Sequence, residues 1–572
     1  MQIQMKCEKK WKYLIKLNNS WGMKKKYIFN FIIGFSLLTI QMMFGQTTTW
    51  TGSAWDNGDP NITTDAIVLS GTCNITSNTS FKSITVQADA ILNIDNAATI
   101  TVQDNIQVLG TGQLIMNNNT SLLQNNSSAV NTGNIKYRRN TTPMRQFEYT
   151  YWGSPVVAQV LNVFSPLTLS DKFYSYNASI GVNNWVLENQ ANVMTPGKGY
   201  AIRAPQGYTA TPQVFNGEFV GVPNNGNIPA SVAGFNPMLL NYNFLANPYP
   251  SAISVITLLD NSNLGTLYFW THNSAITNNV FTSSDYAIRT RTTGTAAVTG
   301  GTAPGLYITA GQGFFASAAT TTTINFTNAM RVAGNNLQFY RNTQDVPLNY
   351  YVHLNLTNTL GAFKQIAFGY QEDATNGYDF GSDALASTEG VIRFYSLIDS
   401  FSVGFGIQAR AYPWLISDVI PLGYTTTEAG TFDIAIDHFD TFFADKDIFL
   451  EDTSNGTFHN LKNSAFTFTT TIGTFDSRFK IHYQDISLSN DDFVGNENSV
   501  YVFKNDNQPK IVSTKSNITG VVVYDMLGRI VLSKDKINTS EIVLYELTRN
   551  NQALIIKTTL ENNVTVAKKF VF

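Results

Sequence analysis

Residues 83–122 read SITVQADAILNIDNAATITVQDNIQVLGTGQLIMNNNTSL. Apolar residues recur in this stretch as pairs at positions i and i+2, about every eight residues, and Asn, Asp, Gly, Thr or Gln fill the gaps. Such a pair points two side chains to one face of a short strand, and each polar gap forms a turn. Strands this short bury little surface alone, so we expect them to stack into a β-solenoid, with an up-and-down sheet as the alternative.

The solenoid prediction covers residues 47–135. We expect the tryptophan-flanked segment at residues 50–55 to cap its open end. The apolar pairs that should face the core are Ile84/Val86, Leu92/Ile94, Ile100/Val102, Ile106/Val108 and Leu114/Met116, followed by Leu122.

Composition extends the β prediction to the whole chain. The 572 residues are too many for one core, so we expect several domains. Hydrophobic residues make up 43%, whereas charged residues make up only 13%, about half the usual share. Thr, Val, Ile, Tyr and Phe are abundant and favour strands. The fold class that follows is all-β and multidomain.

The middle of the chain places aromatic residues between Gly and Pro turns. Residues 149–155 read YTYWGSP and residues 247–250 read NPYP, which favours a β-sandwich or jelly-roll over residues 136–335. One helix is predicted at residues 251–259, with Ser251 as its N-cap. Residues 336–486 are predicted to form a second β-sandwich.

The N-terminus has the pattern of a secretory signal peptide at residues 23–45. A basic segment, MKKK, precedes an apolar run that ends near Gly45. An uncleaved membrane anchor is the alternative. There is no second apolar run of that length, so we expect no transmembrane span in the mature chain.

Removal of residues 1–45 changes the charge and the cysteine count. That segment holds eight Lys and one Glu, so the net charge falls from −3 to −10. An acidic mature chain is a poor candidate for nucleic-acid binding. Cys73 then remains as a single cysteine, which excludes an intramolecular disulfide and a cysteine zinc site.

The C-terminal segment contains a short motif and a basic, apolar last strand. The motif and strand residues are Val523, Tyr524, Asp525, Leu527, Gly528, Arg529, Lys568 and Lys569. Residues 498–572 resemble the immunoglobulin-like C-terminal sorting domain of cargo proteins of the type IX secretion system in Bacteroidetes. Residues 487–497 would be the linker before it. An ordinary immunoglobulin-like domain with no sorting role is the alternative.

The resemblance implies a localisation for the protein. It implies export through the periplasm to the outer-membrane cell surface or the medium, with the type IX secretion machinery as a partner. The commonest pattern has Gly-x-Tyr at the penultimate strand, where residues 551–554 here read NQAL. Release and attachment to surface lipopolysaccharide therefore both stay open.

The sequence contains no recognisable catalytic motif. The five histidines are far apart, and no nucleophile elbow or phosphate-binding loop is present. His438 lies between Asp437 and Asp440, although a solvated loop histidine is the simpler interpretation. We therefore predict no catalytic or cofactor-binding residue. Calcium is the one metal considered, because Glu372, Asp373, Asp379 and Asp383 crowd one loop; a solvated acidic loop is the alternative.

Three tryptophans are candidates for stacking against sugar rings: Trp152, Trp185 and Trp270. Aromatic residues of β-sandwiches more often pack in the core. The function that the sequence favours is a secreted or cell-surface structural or adhesive protein, with other surface proteins or glycans as partners. A carbohydrate-binding or polysaccharide-processing surface protein is the alternative.

Overall fold

The computed structural model describes residues 46–180, 184–235, 241–271, 273, 285–337, 350–399, 401–485, 500–505, 508–548, 552–561 and 563–571. The predicted signal peptide and the predicted linker lie outside them. Within these ranges, no helix is both long enough and apolar enough to cross a membrane.

The predicted fold class is confirmed. Strands account for 51% and helices for 4% of the residues that the structure describes. The chain divides into two compact units, one of Met1–Leu450 with Asn460–Ile481 and one of Glu451–His459 with His482–Phe572. The three domains predicted before the linker thus lie mostly in the first unit.

Eleven short strands build the predicted β-solenoid: β1 Gln46–Trp50, β2 Thr64–Val68, β3 Thr72–Ile75, β4 Thr79–Phe81, β5 Ser83–Val86, β6 Ile91–Ile94, β7 Thr99–Val102, β8 Ile106–Val108, β9 Gln113–Met116, β10 Ser121–Gln124 and β11 Ile135–Asn140. They pair in parallel in three sheets, β1-β2-β5-β8, β4-β7-β10 and β3-β6-β9-β11. From β2 onward, successive strands pass from sheet to sheet, so the chain winds through about four turns.

The solenoid core is a stack of equivalent apolar side chains. Cys73 lies in register with Leu92, and Leu92 in register with Leu114. All the predicted apolar pairs are buried in this core. The confirmation has a simple physical reason, because each turn covers the apolar face that a single short strand leaves open.

An amide ladder runs along the same stack. Asn93 Nδ2 donates to Asn74 Oδ1 at 2.9 Å, and Asn117 Nδ2 donates to Asn93 Oδ1 at 2.9 Å. Arg138 Nη1 continues the series with a 3.0 Å bond to Asn117 Oδ1. These bonds connect successive turns through side chains in addition to the backbone ladder.

Different structures cover the two ends of the solenoid. Trp50 and Trp55 pack edge to face at the N-terminal end, with ring centroids 5.6 Å apart, and contact the core as predicted. At the other end, β16 (Asn216–Gly221) pairs antiparallel with β11. The solenoid therefore continues to Asn140, past the predicted boundary at residue 135, and shares its core with the next region.

The region after the solenoid consists of small sheets. Its remaining strands are β12 Tyr149–Trp152, β13 Phe173–Tyr176, β14 Trp185–Leu187, β15 Tyr200–Arg203, β17 Ile228–Val232, β18 Asn243–Ala246, β19 Ala252–Ser254, β20 Leu264–Trp270, β21 Tyr286–Arg289, β22 Gly294–Thr295, β23 Tyr307–Ile308, β24 Gly313–Ala318, β25 Thr322–Phe326 and β26 Arg331–Val332. They form the sheets β12-β15-β13-β14, β17-β25, β18-β24-β20-β21-β22 and β23-β19-β26.

The helices of this region are short: α1 Leu161–Phe164, α2 Val255–Asp260 and a 3-10 turn at Asn328–Met330. The predicted start of α2 at Ser251 is wrong. Residues Ala252–Ser254 form β19, and the helix is capped by Ser254, whose Oγ accepts a hydrogen bond from Thr257 N at 3.2 Å. Pairing of β19 with two distant strands, β23 and β26, overrides the local helix preference.

The next region contributes one large sheet. Its strands are β27 Tyr350–Asn358, β28 Phe363–Gln371, β29 Ala384–Leu385, β30 Ile392–Ser396, β31 Phe405–Ala411, β32 Ile420–Thr426, β33 Gly430–Phe439, β34 Phe449–Asp452, β35 Thr457–Asn460, β36 Phe466–Thr470 and β37 Gly473–His482, with a 3-10 turn at Thr441–Phe443. The strand order is β35-β34-β37-β32-β30-β31-β28-β27-β33-β36, and β29 pairs with β31.

Two antiparallel sheets form the C-terminal module, residues 500–571. Its strands are β38 Val500–Asn505, β39 Gln508–Ser513, β40 Ile518–Asp525, β41 Ile530–Thr539, β42 Glu541–Val543, β43 Ala553–Leu560 and β44 Thr565–Val571. The sheets β38-β39-β42 and β41-β40-β43-β44 enclose a core that includes Ile511, Val523 and Ile556. An immunoglobulin-like topology stays a prediction.

Candidate binding site and C-terminal module

Trp152 does not form a stacking surface. Its side chain is 1% exposed and packs in the core that the solenoid shares with the following region. It packs edge to face against Phe164 at 4.8 Å and Phe219 at 5.9 Å. For this residue the structure supports the core-packing alternative.

Trp185 and Trp270 belong to a different surface, which we name the aromatic platform. Alternate residues of neighbouring strands supply its rings: Tyr149, Tyr151, Tyr174, Tyr176, Trp185, Tyr242, Phe244, Tyr268, Trp270, Tyr286 and Phe315. Side chains of a strand alternate between faces, so Tyr151 joins the platform while its neighbour Trp152 enters the core. Sequence reasoning identified the tryptophans and missed most of the tyrosines.

The centre of the platform is buried and its rim is not. Phe244 and Phe315 stack at 4.6 Å with an interplanar angle of 15°. Trp270 stacks on Tyr151 at 5.9 Å and 27°, and it is partly buried. Trp185 lies 5.3 Å from Tyr176 and remains 42% exposed. Trp185 is thus the large ring with the most accessible surface among the three predicted tryptophans.

The platform hydroxyls stay neutral. The hydroxyls of Tyr151 and Tyr286 are 2.5 Å apart. Burial raises the pKa of both phenols well above the ordinary value, because a phenolate would lose its hydration there. The platform therefore offers aromatic faces and neutral hydrogen-bonding groups.

A groove of about 970 Å³ lies beside the platform and shares Tyr176 and Phe244 with it. Glu188 and Lys198 face each other in its wall, with an Nζ to Oε1 distance of 2.9 Å. Burial opposes the charge of Glu188, but hydrogen bonds from Ser175, Lys198 and Asn192 outweigh it and lower its pKa. The two charges of the groove wall therefore neutralise each other.

The four calcium candidates do not form one ligand group. Asp383 is buried, and its two oxygens accept hydrogen bonds from Asp379 N and Ala409 N, each at 2.7 Å. Asp379 in turn accepts a 2.6 Å bond from Thr375 N, whereas Glu372 and Asp373 are exposed. Across the described ranges, no three His, Cys, Asp or Glu side chains group as metal ligands would. The aspartates brace the loop.

Burial raises the pKa of the Asp383 carboxyl in that loop to about 7, since the charged form loses hydration. The histidine singled out in sequence, His438, stacks on His353 at 4.0 Å, and its Nδ1–H donates a 2.7 Å hydrogen bond to Asp437 Oδ2. His272 lies outside the described residues.

The motif residues of the C-terminal module meet in one turn between β40 and β41. Asp525 Oδ1 accepts hydrogen bonds from Leu527 N at 2.9 Å and Arg529 N at 3.0 Å, and Oδ2 accepts one from Arg529 Nε at 2.7 Å. Gly528 adopts φ +80°, a conformation that suits glycine. The braced turn leaves Met526 57% and Leu527 80% exposed.

One row of side chains crosses the sheet next to this turn. The register aligns Ile530 with Tyr524, Tyr524 with Ile555, and Ile555 with Lys569. Ile530 is 62% exposed, and Ile555 and Lys569 are also exposed. Lys568 is aligned with Ile556 in the neighbouring row, so the two terminal lysines point to opposite faces of the sheet.

The charge of this module differs from the rest of the chain. Residues 498–572 hold ten Lys and Arg residues against six Asp and Glu residues, a net charge of +4. The whole chain has a net charge of −3. A basic module with an exposed apolar face has the character of an interaction surface.

Comparison with known proteins divides the chain near the predicted linker. No curated protein matches it. Residues 488–572 match the family model described as Domain of unknown function (DUF8694). Residues 44–483, most of the chain, match the model described as Domain of unknown function (DUF8693), and the chain therefore belongs to the DUF8693 family.

Proposed function

We propose that the chain is a cell-surface or secreted structural or adhesive protein, exported by the type IX secretion system, and that residues 498–572 carry its export signal. The observation that carries the proposal is the braced turn at Asp525. Asp525 accepts hydrogen bonds there from Leu527 N and Arg529 N, and the turn that it closes exposes two large apolar side chains. A turn held by five side-chain and backbone bonds presents Met526 and Leu527 at little entropic cost to a partner.

The rest of the chain supports the structural part of the proposal. The solenoid stacks rigidly through backbone pairing and the Asn74–Asn93–Asn117 ladder. Its cores need no disulfide, since Cys73 is the single cysteine after residue 45. A stacked solenoid of this kind suits a protein that holds a binding surface away from the cell.

Cell fractionation tests the export signal. In a bacterium that makes this protein and has a type IX system, we expect a chain lacking residues 498–572 to accumulate inside the cell. We expect Asp525→Ala to reduce the surface amount, because Leu527 N and Arg529 N lose their acceptor. The matched control is Asp535→Ala, an exposed carboxylate on β41 of the same sheet. Equal surface amounts of all the variants would contradict the proposal.

The second candidate function is carbohydrate binding. The specific observation in its favour is the aromatic platform with the exposed Trp185 at its rim. Sugar rings present C–H groups that pack on aromatic faces, and their hydroxyls bond to neutral polar groups. The two functions are compatible, since an adhesive surface protein requires a ligand.

A further inference from the structure

The groove beside the aromatic platform has the properties of a site for an uncharged polysaccharide chain, and we propose that it is one. This inference rests on the second candidate function and goes beyond it by naming the site and the class of ligand. Its volume of about 970 Å³ is at the upper end of the usual range for ligand sites, so it holds several linked sugar units.

The lining of the groove fits sugar hydroxyls. Its exposed polar members carry hydroxyl and amide groups, which both donate and accept hydrogen bonds. They include Asn177, Ser179, Thr195 and Ser231. Three consecutive threonines, residues 321–323, line the groove as well. A ligand covered with hydroxyl groups finds partners over the whole groove.

The aromatic component is at the edge of the groove. Tyr176 and Phe244 belong both to the groove and to the platform. Trp185 packs against both rings, at 5.3 Å from Tyr176 and 5.7 Å from Phe244. Trp185 is therefore fixed by its neighbours with part of its ring accessible, which is the condition for stacking without a large loss of side-chain entropy.

The charges select an uncharged ligand. Glu188 and Lys198 are the charged side chains among the described residues that line the groove, and they pair with each other at 2.9 Å. Asn192 adds a 2.8 Å bond to Glu188. Among the described lining residues no cation remains unpaired to bind the carboxylate of a uronic acid or the sulfate of a sulfated sugar.

Affinity electrophoresis tests the inference on the chain from residue 46 onward. The gels contain a neutral β-glucan, mannan or xylan, or the acidic polysaccharides alginate and pectate. We expect retardation by at least one neutral polysaccharide and by neither acidic one. No retardation in any neutral gel, or equal retardation in alginate, overturns the inference.

Variants place the binding in the groove. We expect Trp185→Ala to weaken binding by about fivefold or more and Trp185→Phe to weaken it less, because a ring remains. The control is Tyr545→Ala, which removes a 72% exposed ring elsewhere. Circular dichroism checks that each variant is folded. Unchanged binding by Trp185→Ala overturns the site.

The Glu188–Lys198 ion pair allows a test in which a variant gains binding, a result that a loss of folding would not produce. Glu188→Gln leaves Lys198 without its carboxylate partner, so we expect this variant alone to gain retardation in alginate. The double variant Glu188→Gln/Lys198→Met should lose that gain. If Glu188→Gln behaves as the unchanged chain in alginate, the assigned role of the pair is wrong. These assays use purified protein, so their failure is distinct from a failure of export.

Discussion

Truncation of Trp152 separates a packing role from a binding role. The side chain is 1% exposed and touches Phe164, Phe215 and Phe219 edge to face, at 4.8, 6.0 and 5.9 Å. A buried aromatic side chain removes about 150–250 Å² from water, which is about 4–6 kcal/mol at about 25 cal/mol per Å². We expect Trp152→Ala to lower the free energy of unfolding by about 3–5 kcal/mol.

Trp185→Ala is the matched comparison, since Trp185 is 42% exposed. Less of its surface leaves water on folding, so we expect a loss of about 2–3 kcal/mol. Urea unfolding of the chain from residue 46, followed by near-UV circular dichroism, measures both values. If Trp152→Ala costs less than about 1 kcal/mol, or no more than Trp185→Ala, the assignment of Trp152 to the core is wrong.

Three further predictions concern single residues of the first unit. Burial raises the pKa of the Cys73 thiol to about 12, so we expect no reaction with a thiol reagent at pH 8 until the chain is unfolded; fast labelling of the native chain would contradict this. Burial, with a smaller contribution from His438, lowers the pKa of His353 to about 3, against about 6.5 when unfolded. As the pH falls, the unfolded chain binds this proton before the folded chain does. The contribution of neutral His353 to stability is therefore complete above about pH 6.5 and is lost towards pH 3. His353→Gln should flatten a plot of unfolding free energy against pH over this range. Asn93→Ala removes two 2.9 Å ladder bonds and should cost about 1–2 kcal/mol in urea unfolding, whereas an unchanged midpoint would refute the ladder.

The solenoid was predictable because the residues that define each strand are close together in the sequence. Each apolar pair, such as Leu92/Ile94, lies within one strand, and the alternation of faces fixes which side chains are buried. The grouping of the strands into three sheets did not follow from the spacing. That grouping depends on which strands of successive turns pair with each other, as β6 and β9 do where Leu92 lies opposite Leu114.

The candidate site was predictable only in part. The sequence singled out Trp152 and Trp185 alike, and one is buried while the other is 42% exposed. The difference arises from the solenoid core that covers Trp152, which local sequence does not encode. The start of α2 was missed for a similar reason, since β19 pairs with β23 and β26 far along the chain.

The motif around Asp525 was recognised from the sequence, but the role of each residue came from the structure. Asp525 is the acceptor that closes the turn, and Gly528 supplies the positive φ. Lys568 and Lys569 looked equivalent in the sequence. The register places them on opposite faces, with Lys569 beside the exposed Ile555.

Deletion of residues 498–572 tests the central claim most directly. The measurement is the amount of protein at the cell surface and in the medium, relative to the periplasm, for the full chain and the truncated chain. We predict that the truncated chain stays in the periplasm while the full chain leaves it. Truncated protein at the surface in the amount of the full chain would contradict the account.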